Sequence, residues 1–133
     1  MIEDNKALQS IIKGIQEKKG RNIKVIDLHS VEDRLCDFLV ICEGGSPTQV
    51  SAIAGSVEDV ARKEGKIKPQ LVDGLRNSVW VAMDYTDVIV HIFLPEERAF
   101  YDIDNLWEDA KAIEIEDESC FAAGSREQVA RSR

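Results

Sequence analysis

Residues 79–93 read V-W-V-A-M-D-Y-T-D-V-I-V-H-I-F, and this stretch decides the fold class. It holds two apolar runs around Tyr85-Thr86, the pattern of two strands joined by a tight turn. If Asp84 pairs with Asp87, Val79, Val81 and Met83 meet Ile92, Val90 and Val88 as a wholly apolar face, which is the core side. The other face then carries Trp80, Ala82 and Asp84 against His91, Ile89 and Asp87, with Trp80 opposite His91. Thr86 suits a two-residue hairpin loop poorly, because such loops need positive φ and favour Gly or Asn. A longer or strained turn is therefore expected.

Working outward, Leu8, Ile11, Ile12 and Ile15 recur at helical spacing, which predicts an amphipathic helix over Asn5–Lys18, capped by Asp4 and stopped at Gly20. Ile23–Leu28 and Asp37–Glu43 read as strands. Ser46, Pro47 and Gln49 form a helix start, with Ser as N-cap, Pro in the first turn and Gln three residues on. Val50, Ile53, Ala54, Val57 and Ala61 give that helix one apolar stripe, and Gly65 ends it. Gln70–Asp73 fits an edge strand, Glu96–Tyr101 a short helical turn, and Asp104 the cap of a last helix through Leu106, Trp107 and Ala110. The chain thus reads as one α/β domain over residues 1–112, a mixed β-sheet flanked by helices. Residues 113–133 are expected to be a mobile tail.

The chain has 133 residues, 44% hydrophobic and 32% charged, with a net charge of -8. That is enough to bury a core without disulfides or metals, and the acidity disfavours broad contact with nucleic-acid phosphates. The imbalance is local: residues 95–118 hold 10 acids and 2 bases, whereas residues 1–94 hold 14 and 12. Apolar runs fall short of a membrane span, the first residues do not resemble a signal peptide, and Cys36, Cys42 and Cys120 form no C-x-x-C pair. A cytoplasmic protein is expected.

Gly44-Gly45-Ser46 joins a strand to a helix N-terminus, a place where backbone amides can hold phosphate. It lacks both glycine-rich nucleotide fingerprints. It resembles the entry loop of nucleotidyltransferase folds, but no acid follows before Glu58, and metal-assisted phosphoryl transfer needs carboxylates at the metal. His29 and His91 have no zinc spacing, although Asp84, Asp87 and His91 lie on one hairpin. Neither cofactor nor metal is expected, and the chain reads as a binding protein rather than an enzyme. A nucleotide-binding or nucleotidyl-transferring enzyme using Gly44–Ser46 is the alternative. Aromatic residues among charges are typical anchors at protein interfaces. Trp80, Phe100 and Tyr101 keep such company with Glu96, Glu97, Asp102 and Asp104, whereas Trp107 reads as core.

Two longer stretches, Ser30–Ala54 and Asp73–Trp107, resemble the ribosomal silencing factor family, also called Iojap-like. The combination of W-V, D-V-I-V-H-I-F and P-E-x-R-x-F-Y-D carries the likeness, which covers about residues 3–110. The resemblance implies a nucleotidyltransferase-like fold without catalytic carboxylates. It implies binding to the large ribosomal subunit through large-subunit protein fourteen, a block on subunit joining that represses translation, and in some members a part in large-subunit maturation. Homodimers when free are implied, as is contact with neither membrane nor specific nucleic-acid sequences. By position the family's motifs select Trp80, Asp84, Asp87, His91, Arg98, Tyr101 and Asp102 as partner-binding residues. The family usually has Gly where this chain has Thr86.

Overall fold

A computed structural model of the chain describes residues 5–107 and 110–115. Helix α1 (Lys6–Glu17) leads into strands β1 (Arg21–Asp27) and β2 (Phe38–Glu43). Helix α2 (Pro47–Val60) follows, extended by a π-turn over Ala61–Gly65. Strands β3 (Leu71–Asp73), β4 (Trp80–Asp84) and β5 (Val88–Phe93), helix α3 (Pro95–Tyr101), a 3-10 turn (Ile103–Asn105) and strand β6 (Lys111–Ile115) complete it. The strands form one sheet in the order β3-β4-β5-β2-β1-β6. Only the central β2–β5 pair is parallel, so the sheet is mixed, as expected. No described helix is long and apolar enough to cross a membrane.

Both long helices cover one face of the sheet. Leu8, Ile11 and Ile15 from α1 and Val50, Ile53 and Val57 from α2 pack on Val25, Val40, Val81, Met83, Val90 and Ile92. At their crossing, a Cβ on Gly14 would lie 2.7 Å from the Val57 Cα, and the Ser56 hydroxyl donates to the Gly14 carbonyl at 2.7 Å. The helices therefore meet backbone to backbone. The Asn5 side chain, not the expected Asp4, caps α1 by accepting from Leu8 N at 2.9 Å; Asp4 lies outside the described residues. At the other end Lys19 N reaches Gln16 O and Gly20 N reaches Ile15 O, a Schellman closure with Lys19 at φ 61°. Gly20 is needed for room, since a Cβ there would strike the Ile15 side chain.

Three sequence expectations need correction. The hairpin faces are as expected, but Trp80 pairs with Phe93 and Ala82 with His91, a slip of two residues from the expected register. A two-residue slip keeps every side chain on its face, so alternation could not detect it. The turn is then Thr86-Asp87, closed by Tyr85 N donating to Val88 O at 2.8 Å, with Thr86 at φ 74° and its amide bonded to the Asp84 carboxylate. The last helix is not formed as expected: its cap residue Asp104 lies in the 3-10 turn, and Lys111–Ile115 is a strand paired antiparallel with β1. Alternation explains this, because Ile113 and Ile115 stand opposite Val25 and Ile23 on the helix-covered face. The boundary placed at residue 112 falls inside β6; residues 116–133 lie outside the described ones.

Two stability predictions follow from this packing. Gly14→Ala should cost about 2 kcal/mol or more, as overpacking against an immovable backbone does. Thr86→Gly should add about 1 kcal/mol by relieving a β-branched residue at positive φ. Urea denaturation midpoints of the purified variants check both.

Candidate functional site

The second face of the sheet is covered only in part. Ile103, Trp107, Ala110 and Val31 pack over Ile26, Leu39, Ile41 and Phe93, on strands β1, β2 and β5. Toward β4 and β3 the cover stops. Trp80, Ala82, Ile89 and His91 remain half-buried there, and Leu71 on the edge strand is 61% exposed.

Aromatic rings crowd this open half. Trp80 stacks on Phe93 with centroids 4.9 Å apart and lies against Tyr101 at 4.6 Å. Phe100 meets Tyr101 edge-on at 5.0 Å. Phe100 is 78% exposed and Tyr101 47%, so the cluster is anchored in the sheet and open outward. Trp80 Nε1 donates to His91 Nδ1 at 2.9 Å, which places the proton of the neutral imidazole on Nε2. Burial lowers the His91 pKa from 6.5 to about 4, because the charged ring would lose its water.

Arg98 holds α3 in place. Its guanidinium donates to both Asp104 oxygens at 3.2 and 2.7 Å, to Glu43 Oε2 at 3.2 Å and to the Asn22 carbonyl at 2.6 Å. That carbonyl belongs to an irregularity in β1, where the pairing with β2 shifts register and Asn22 takes φ 52°. Burial works against the charge on Arg98, but Asp104 and Glu43 outweigh it and raise the pKa. Burial likewise works against a charged Asp104, and the Arg98 bonds outweigh it, so its pKa falls.

Two backbone amides of the Gly44–Ser46 loop are spent on the chain itself. Gly44 N donates to Phe93 O, Gly45 N to Gln49 Oε1 at 2.7 Å, and Gln49 N to Ser46 Oγ at 3.1 Å. The Gln49 amide also donates to Lys18 and Lys19 carbonyls, tying the end of α1 to the start of α2. The loop is thus a structural cap with a carboxylate, Glu43, beside it. Among the described residues no group of His, Cys, Asp and Glu is arranged to hold a metal ion.

The family model for ribosomal silencing factor during starvation matches residues 2–133. The chain belongs to the ribosomal silencing factor family. A ribosomal silencing factor of Halalkalibacterium halodurans is 33% identical over 115 residues, covering 86% of this chain and 97% of that protein. A mouse protein named mitochondrial assembly of ribosomal large subunit protein 1 is 24% identical over 105 residues, 75% of this chain and 44% of that one. A crystal structure from Chromobacterium violaceum superposes with a TM-score of 0.73 at 32% identity, over 84% of this chain and 89% of that chain.

Of the seven residues selected by the silencing-factor motifs, the fold brings Trp80, His91 and Tyr101 into one cluster. Arg98 is turned inward, with only 12% of its side chain exposed, so it positions α3 rather than facing outward. Asp102 ends α3 at φ 51° on the exposed rim and accepts from Asn105 Nδ2. Asp84 shares the face of Trp80 but sits at the far end of β4, about 13 Å along the strand at 3.3 Å per residue. Asp87 lies beyond it in the turn. Phe93, the platform under Trp80, was absent from the selection; its register partner Trp80 could have revealed it only once the turn was known.

The His91 environment sets a pH dependence. The folded state resists protonation that the unfolded chain accepts below pH 6.5, so this contribution is complete above 6.5 and is lost as pH falls toward 4. The loss should be on the order of 3 kcal/mol. Denaturant midpoints at pH 7 and pH 4.5 should fall further for the wild type than for His91→Gln; an equal fall would show that His91 stays solvated.

Proposed function

We propose that the chain docks the open half of its sheet, centred on Trp80 and Tyr101, on a basic protein of the large ribosomal subunit, and that the occupied surface can no longer accept the small subunit. The observation that supports this most is the outward-facing aromatic cluster on the sheet, with Asp102 exposed next to Tyr101 and Asp73 exposed on the edge strand of the same face. Aromatic anchors inside a polar rim carry most of the energy at protein interfaces, and acids around them steer toward Lys and Arg. Large-subunit protein fourteen is the expected partner, as the family resemblance implies. The mouse relative's name, which refers to large-subunit assembly, favours the same subunit and a part in its maturation. In the free protein a second copy would cover the same apolar surface as a homodimer. The setting of this work is the cytoplasm.

The enzyme alternative draws little support from the Gly44–Ser46 loop, since the Gly44 and Gly45 amides are bonded within the chain. A thermal-shift measurement with ATP or CTP and magnesium separates the two readings, since a ligand at 100 times its Kd would stabilise by about 2.7 kcal/mol.

Docking is tested by pelleting purified large subunits with wild type, Trp80→Ala and the Phe100→Ala/Tyr101→Ala pair. Each variant should bind about 30-fold more weakly, the equivalent of about 2 kcal/mol. The exposed pair guards against misreading a packing defect at Trp80. Full-strength binding by both variants would remove this face from the site.

A further inference from the structure

A cavity of about 260 Å³ lies beside the Arg98 clamp, between β1, β6 and the 3-10 turn. That is many times the ~30 Å³ share of one water. Four charged side chains line it: Lys24, Arg98, Asp104 and Glu114. Two are cations and two are carboxylates, so the charged wall is balanced overall.

The four are not equally satisfied. Arg98 and Asp104 are joined by two hydrogen bonds. Lys24 donates no hydrogen bond among the described residues. Its ammonium comes within 3.8 Å of Asp104 Oδ2, too far to donate, although only 20% of the side chain is exposed. Glu114 stands directly opposite Lys24 in the β1–β6 pairing. Opposed charges in such a position gain by pairing, yet these two form no ion pair, and Glu114 has no partner among the described residues. An ammonium carries three donors and a carboxylate only acceptors. Leaving a largely buried donor unmet costs free energy. An open donor and an open acceptor therefore line the same cavity, on neighbouring strands.

Their chemistry selects the ligand. A simple anion would reach Lys24 only beside two carboxylates. A simple amine would pair with Glu114 and leave Lys24 unmet. A small molecule with a carboxylate and an ammonium on one carbon serves both and matches the balanced wall. We propose that this cavity binds a free α-amino acid, with its carboxylate on Lys24 and its ammonium on Glu114. The site lies at the edge of the sheet remote from β4, and the inference does not depend on the ribosomal reading above.

The test follows backbone amide resonances while the protein is titrated with each proteinogenic L-amino acid in turn. The amide and the N-acetyl derivative of the strongest binder are then titrated. At millimolar concentration at least one amino acid should shift the amides of Lys24, Glu114 and Ile115. The amide derivative lacks the carboxylate and the N-acetyl derivative lacks the ammonium, so each should bind about tenfold more weakly. Lys24→Met and Glu114→Gln should weaken binding of the amino acid by a similar factor. Glu114 is exposed on an edge strand, so its substitution leaves the fold intact. No shift with any amino acid would overturn the proposal. So would equal binding of either derivative, or full-strength binding to Glu114→Gln.

Discussion

The guanidinium of Arg98 is the contact on which the second face of the molecule depends. Four acceptor atoms from three parts of the chain converge on it: the β1 irregularity, the end of β2 and the 3-10 turn after α3. Among the described residues, Arg98 is the α3 side chain that bonds to the sheet, and that short helix buries no residue completely. A buried charge left without one partner is costly, so the geometry of α3 is set by satisfying this one side chain. Tyr101, one turn on from Arg98, is thereby laid against Trp80.

The same arrangement explains why the face is only half covered. The segment after α3 runs over β2 and β1 and ends by pairing β6 beside β1, at the edge of the sheet remote from β4. It therefore shields Ile26, Leu39 and Ile41 and leaves Trp80, Ile89 and His91 half-exposed. The helix-covered face needs no such help, since α1 and α2 meet closely enough at Gly14 to act as one slab. An apolar face left open on a rigid sheet, with its tryptophan already hydrogen-bonded and stacked, is a surface ready to bind a partner with little rearrangement.

Much of this was legible in the sequence, and the losses have physical causes. Periodicity placed α1, α2 and the first two strands, and alternation assigned both hairpin faces. Alternation carries parity but not register, so the two-residue slip went unseen, and with it the Trp80–Phe93 stack. The acids of 95–118 read as one surface because charge is visible in sequence and pairing is not. Asp104 belongs instead to the Arg98 clamp, and Asp73 and Asp84 share the open face from other strands. The K-A-I-E-I strand alternates plainly, but so short a run among charges looks like the tail of a helix. Motif membership selects Arg98 without saying which way its side chain points, and the fold turns it inward onto Glu43 and Asp104.

The face that meets the ribosome is what distinguishes this docking geometry from any other. Amide hydrogen exchange of the chain, alone and saturated with purified large subunits, reads this directly. Protection is expected over β3, β4 and α3, residues 71–84 and 95–102, with α1 and α2 unchanged. Protection confined to α1 and α2, with the sheet edge and α3 exchanging as in the free protein, would contradict it.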